Sequence, residues 1–185
     1  MPSSLHKLDP ITLLRELESR SRHHAMGLPM QVEIQNTWSG VGFRIGDIRL
    51  VVEMDSVSEI LSIPGFTRIP GAHPWVKGLA NVRGTLIPII DLRILLNAGM
   101  VKQEKRTRML VIKEDGAVAG FMVDEVYGMR HFIATDRQDD LPNAEDFIQP
   151  YILGSYIQND MPWGLFDMNK ISSSTAFHQV AARTV

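Results

Sequence analysis

Two stretches of this chain echo each other at fixed offsets, and that self-similarity constrains the fold more than any other feature. Sliding the sequence by 69 residues places Val52, Met54, Asp55, Val57 and Ile60 on Phe121, Val123, Asp124, Val126 and Met129. A slide of 76 places Gly78, Ile89, Ile90 and Asp91 on Gly154, Leu165, Phe166 and Asp167. Apolar strands match at many offsets by chance, but glycines and aspartates do not coincide for that reason. The order hairpin, loop, glycine, strand ending on aspartate therefore occurs twice, in halves of about 41–93 and 109–169. The larger second offset predicts a longer connection in the second copy, at RQDDLPNAEDF.

From Trp38 onward the chain is written in short β-rich runs broken by glycine, proline or Asp/Asn: VGFRI, IRLVVEM, TLIPIID, MLVIK, AVAGFMV and PWGLFDM. Gly46-Asp47 and Asp115-Gly116 fall where tight hairpin turns belong. The expected fold class is mainly all-β and mostly antiparallel. Two pseudo-repeated five-stranded barrels would share a seam and interleave within one domain, because a barrel closes its own edges and tolerates short strands. Ahead of it, Asp9 as an N-cap and Pro10 as the first helical residue open a helix with Ile11, Leu14 and Leu17 on one face, running to about Met26. Glu16 with Arg20 and Glu18 with Arg22 have the spacing of supporting ion pairs. The expected organisation is a helical extension over 1–37, the β domain over 38–171 and a tail over 172–185.

Composition narrows the chemistry. A net charge of −2 supplies no global positive field, so nucleic acid and anionic lipid are not expected partners. With no cysteine there is no disulfide, thiol nucleophile or Cys-ligated metal. No apolar run approaches the roughly 18 residues of a membrane span, so a cytoplasmic protein is expected, touching a membrane only through a partner. His23, His24, His73, His131 and His178 lack the spacing of a zinc helix. Gly78 to Gly84 lacks the Gly-Lys-Ser/Thr ending of a phosphate loop, and the glycines of GVGFRIG lead into strand instead of helix. Asp55, Asp91, Asp124 and Asp167 all end apolar runs, where side-chain oxygens satisfy turn amides. No enzyme, metal or cofactor is expected. The basic run KQEKRTR at 102–108 reads as a solvated loop, with a small-ligand or nucleic-acid-binding double barrel as the alternative.

One stretch carries a resemblance. HPWVKGLANVRGTLIPIIDLR, with VSEIL upstream and VDEVYGM downstream in the expected order, resembles the signature of CheW-like adaptor domains from about Trp38 to Ile171. WSGVGFRIG, WVKGLANVRG, VDEVYGMRHF and PWGLF are most similar to the PilI-type adaptors of twitching-motility systems, which drive type IV pili. The resemblance implies two SH3-like five-stranded barrels and no catalysis. It implies an adaptor that couples the cytoplasmic tip of a methyl-accepting chemoreceptor to the regulatory domain of a CheA-like histidine kinase, in ring or array assemblies on the inner face of the inner membrane.

Carried over residue by residue, Arg83 stands at the family's Asn-Leu-Arg-Gly arginine, a position associated with receptor coupling, and Glu59 at its acidic partner. Val57, Asn81 and Val82 flank them, with Val82 in place of the usual leucine. For the kinase face the resemblance points to edge strands of the second barrel, with Val123, Asp124 and Val126 nominated; Gly78, Gly84 and Asp91 are expected to hold turns.

Overall fold

A computed structural model describes residues 10–24, 36–114, 117–142 and 144–172. The first of these ranges is one helix, α1 (Pro10–His24), in which Arg20 meets Glu16 at 2.7 Å. Its expected Asp9 cap, the Gly27 and Pro29 stop and the side chain of Arg22 lie outside the described residues.

The second unit begins at Asn36. Its strands are β1 (Thr37–Ile45), β2 (Ile48–Glu53), β3 (Val57–Ser62), β4 (Val76–Val82), β5 (Thr85–Asp91), β6 (Arg108–Glu114), β7 (Ala117–Val123), β8 (Glu125–Ile133), β9 (Ile152–Gln158) and β10 (Met161–Phe166). Short helices α2 (Leu92–Leu95) and α3 (Met168–Ser172) follow β5 and β10. All six runs read from the sequence fall on strands, with Met54 lying just past β2 and Asp167 and Met168 just past β10. Gly46 and Asp47 form the β1–β2 turn as expected, while Asp115 and Gly116 lie outside the described residues between the paired ends of β6 and β7.

The strands form two five-stranded sheets, ordered β8-β1-β2-β10-β9 and β3-β6-β7-β5-β4. Exchanging each strand of one repeat with its counterpart in the other converts the first order into the second. Each repeat therefore gives its leading hairpin to the sheet that holds the last three strands of the other. That exchange makes two of the pairings parallel, β2 with β10 and β5 with β7. In these Leu165 faces Val51 and Ile89 faces Gly120, pairs related by the same offsets of 76 and 69. Fine structure repeats as well. The Asp91 N–H donates to the Trp75 carbonyl and the Asp167 N–H to that of Tyr151, each at 2.8 Å.

Alternation along the strands sorts three apolar clusters. Phe43, Leu50, Ile90, Leu110, Phe121 and Phe166 pack between the sheets, with Phe43 and Phe166 edge to face at 5.8 Å. On the far face of the β3–β7 sheet sits an aliphatic set with Ile87, Ile89, Met109, Val111 and Met122. On the far face of the other lies an aromatic set, Phe132, Tyr156, Trp163 and the half-buried Trp38 and Tyr127. Gly40 and Gly42 make that set possible. A Cβ on Gly40 would lie 2.7 Å from the Trp38 ring, and one on Gly42 would lie 2.8 Å from the Trp163 ring. The glycines that fail as a dinucleotide fingerprint clear room for indoles.

Candidate functional site

Arg83 lies in the two-residue turn joining β4 to β5, where Val82 pairs with Thr85. Both central residues have positive φ, 50° at Arg83 and 88° at Gly84. That is the geometry of a type I′ turn, whose twist matches the flanking strands. The Asn81 side chain accepts the Gly84 N–H at 2.8 Å and braces the turn, while Val82 packs on the aliphatic cluster. Glycine suits its position; arginine, with a Cβ in the left-handed region, costs on the order of 1 kcal/mol. The counterpart turn of the second repeat carries Asn159 and Asp160 at φ 52° and 59°, residues that tolerate this conformation.

β3 and β4 are the two edges of their sheet, and Arg83 brings them together. Its Nε lies 3.2 Å from Oε2 of Glu59, which shares with Leu61 the face of β3 that carries the aliphatic cluster; Val57, across a bulge in the strand, packs on the inter-sheet core instead. The guanidinium side is 76% exposed and the Glu59 side chain 27%. With one partner in water, the contact contributes about 1 kcal/mol or less to stability. The first sheet closes differently, its edges β8 and β9 joined by Gln158 Nε2 donating to the His131 carbonyl at 2.9 Å. Ile60 on the edge strand β3 and Leu86 on β5, beside the edge strand β4, add apolar surface at 41% and 54% exposure. Sequence reading missed both; the alternation of β3, which turns Glu59 inward and Ile60 outward, is the signal that finds Ile60.

The other nominated residues sit at the seam. Val123 is fully buried between the sheets, so its side chain offers a partner no surface. Asp124 stands where the chain passes from one sheet to the other, accepting the Gly46 N–H at 2.7 Å and facing Arg93 at 3.6 Å. Next to it Glu125 pairs with Arg44 at 3.4 Å and Arg106 at 3.7 Å. Val126 is half-buried on the inter-sheet core. The basic run at 102–108 is folded as well as solvated. Thr107 Oγ1 accepts the Glu104 N–H and donates to the Lys102 carbonyl, and Arg108 donates to the carbonyls of Lys105 and Thr107.

The turn residues do what their chemistry suggests. Gly78, at φ 153°, lets β4 pass against Thr67. Asp91 is fully buried, accepting the Ile94 N–H at 3.2 Å and the Val101 N–H at 3.1 Å. Burial pushes its carboxyl above the ordinary value of 3.8, opposed by those backbone bonds and the charge of Lys77. Asp167 caps α3 through the Asn169 and Lys170 N–H groups. Asp55 differs from the other three: it lies exposed in a 3₁₀ turn, Met54–Ser56, and caps nothing there.

The molecule is an interleaved double barrel with a strained, exposed arginine on its closing edges. Residues 39–176 match the CheW-like domain, and the chain belongs to that family of non-catalytic scaffold adaptors of the chemotaxis type. It is 40% identical over 172 residues to Protein PilI of Pseudomonas aeruginosa, covering 93% of this chain and 96% of that one. Chemotaxis protein CheW of Helicobacter pylori is 32% identical over 61% of this chain and 68% of its own length. Protein FrzA of Myxococcus xanthus is 34% identical over 51% and 59%. The crystal structure of the scaffolding protein TtCheW from Thermoanaerobacter tengcongensis shares the fold, with a TM-score of 0.65 at 20% identity over 75% of this chain and 94% of that one.

Proposed function

We propose that this adaptor couples the cytoplasmic tip of a methyl-accepting chemoreceptor to the regulatory domain of a CheA-like histidine kinase, and so controls twitching motility by type IV pili. The carrying observation is Arg83, an exposed guanidinium held at positive φ in a turn where an asparagine would cost less. Strain that persists on the surface points to use. Glu59 orients the guanidinium from one side, leaving its other donors for a receptor, with Asn81 and Val82 forming the turn around it and Val57 adding its contribution from the other side of the β3 bulge. Likeness to PilI supports the twitching assignment, and the work is cytoplasmic, at receptor arrays. For the kinase, the Val123–Val126 corner contributes from within, through Asp124 fixing the β1–β2 turn against the seam.

Two substitutions separate use from structure. Arg83→Glu reverses the charge and is expected to weaken binding to a receptor-tip fragment at least about ten-fold, roughly 1.4 kcal/mol, with little change in the melt. Arg83→Asn suits the turn and is expected to keep or slightly raise the melting temperature while losing the same binding. Titration calorimetry reads both. Unchanged affinity in a folded Arg83→Glu protein would remove Arg83 from the receptor face. For the second partner, calorimetry against the kinase regulatory domain is expected to give saturable one-to-one binding.

A further inference from the structure

Arg44, Arg83, Arg93 and Arg106 each face a carboxylate. Arg49 and Arg130 do not meet one among the described residues. Both lie on the aromatic face of the β8-β1-β2-β10-β9 sheet and rest on alternate residues of β10. Arg49 Nη1 touches Met161 Sδ at 3.1 Å, and the Arg130 guanidinium lies over the Trp163 ring at 5.1 Å and the Tyr127 ring at 5.6 Å. Glycine at position 42 is what lets the Arg130 stem cross the sheet, since a Cβ there would lie 2.9 Å from its Cγ.

Stacking holds a guanidinium by its face and leaves its N–H edge free, the arrangement in which arginine takes a carboxylate in two parallel bonds. Arg130 Nε is enclosed and has no acceptor. That enclosed donor is out of reach of a ligand from solvent, so the terminal Nη groups are the ones that offer a partner two parallel bonds. The repeat sharpens the contrast, because position 130 corresponds to Leu61, which packs on the aliphatic cluster of the other sheet. A cation therefore stands where the first repeat uses a hydrocarbon, beside the 45% exposed Met161. A net charge of −2 gives no long-range pull on nucleic acid or anionic lipid, so recognition here is short-ranged.

We propose that Arg49 and Arg130 form a second recognition surface, on the opposite barrel from Arg83, that takes paired carboxylates of an acidic segment of a protein partner against Met161. It stands independently of the receptor reading. The test follows the Nε–Hε resonances of the arginines in the full-length protein, titrated with a terminally blocked tetraglutamate peptide at about 0.15 M salt. Arg49 and Arg130 are expected to shift together and saturably, and Arg130→Leu to weaken binding at least about ten-fold. The leucine at the equivalent position of the other sheet makes that variant compatible with folding, checked by its melt. The more peripheral Arg49→Gln, expected to weaken binding several-fold, gives the same readout should Arg130→Leu not fold. The proposal is overturned if neither resonance moves, or if both variants bind as the parent does. Tighter binding of oligothymidylate, inorganic phosphate or phosphatidylglycerol vesicles than of the peptide also overturns it.

Discussion

Asp91→Ala is expected to lower stability by about 2–4 kcal/mol, which for a domain of this size is a drop of about 5–12 °C in melting temperature. The carboxylate is fully buried and holds two backbone N–H groups that have no helix or sheet partner, those of Ile94 at the start of α2 and of Val101 ten residues on. Val101 is itself buried, so water does not reach its orphaned amide. Relief of the carboxylate's own desolvation offsets part of the loss. Asp167→Ala supplies the internal control. Asp167 occupies the equivalent place in the second repeat, but it caps only the first turn of a short helix whose N–H groups are exposed. Its loss is expected to cost about 0.5–1.5 kcal/mol. Urea melts of the two variants decide it. Equal costs would mean that the Val101 bond contributes nothing.

The same carboxylate has a pH signature of definite sign. Burial raises the folded-state pKa of Asp91 above 3.8, so between the unfolded and folded values the native chain binds more protons than the unfolded one. Its contribution to stability is then fully present below 3.8 and falls as pH rises through the folded value. Asp91→Asn removes that slope. The stability advantage of the parent over the variant is therefore expected to be largest in acid and to shrink toward neutrality, as read from melts at successive pH values.

Much of this was legible in the repeat. Matching glycines and aspartates gave ten strands in two equivalent sets, and three of the four aspartates hold backbone amides. The form of the interleaving was not legible, because a strand carries the same alternation whether it pairs within its repeat or with the other; only the parallel register of β2 with β10 and β5 with β7 distinguishes them. Arg83 could be named from the motif, yet its positive φ could not, since arginine is a poor predictor of a type I′ turn. Val123 reads as the end of a strand at a promising edge, and its burial follows from the sheet exchange that the sequence conceals. Gly40 and Gly42 read as a failed ligand loop because Trp163 and Arg130, which fill the space Gly42 leaves, are distant in sequence, and the fold of Trp38 back over Gly40 is not written in its neighbours.

The glycine whose replacement should do most harm is Gly78. A Cβ there would stand 2.2 Å from the Thr67 carbonyl oxygen and 2.7 Å from its carbon, and the obstruction is backbone, which cannot swing aside as a side chain can. Its φ of 153° is one that L side chains rarely adopt. Thr67 and Leu79 exchange two hydrogen bonds of 2.9 and 2.8 Å next to this contact, tying the β3–β4 loop to the outer edge of β4. Gly78→Ala must break that bridge or push β4 inward, at an expected cost of about 3 kcal/mol. Gly154→Ala repeats the experiment on β9, where the clash is with the Gln138 carbonyl oxygen at 2.5 Å and the bridge is Gln138 with Ser155. The looser approach predicts a smaller loss. Because β4 leads directly into the Arg83 turn, Gly78→Ala is also expected to weaken receptor-tip binding, whereas Gly154→Ala leaves it near the parent value. Hydrogen exchange at the Thr67 and Leu79 amides locates the damage. Retained protection there, together with an unchanged melt, would show that the loop moves aside without cost and that the close approach does not hold the edge.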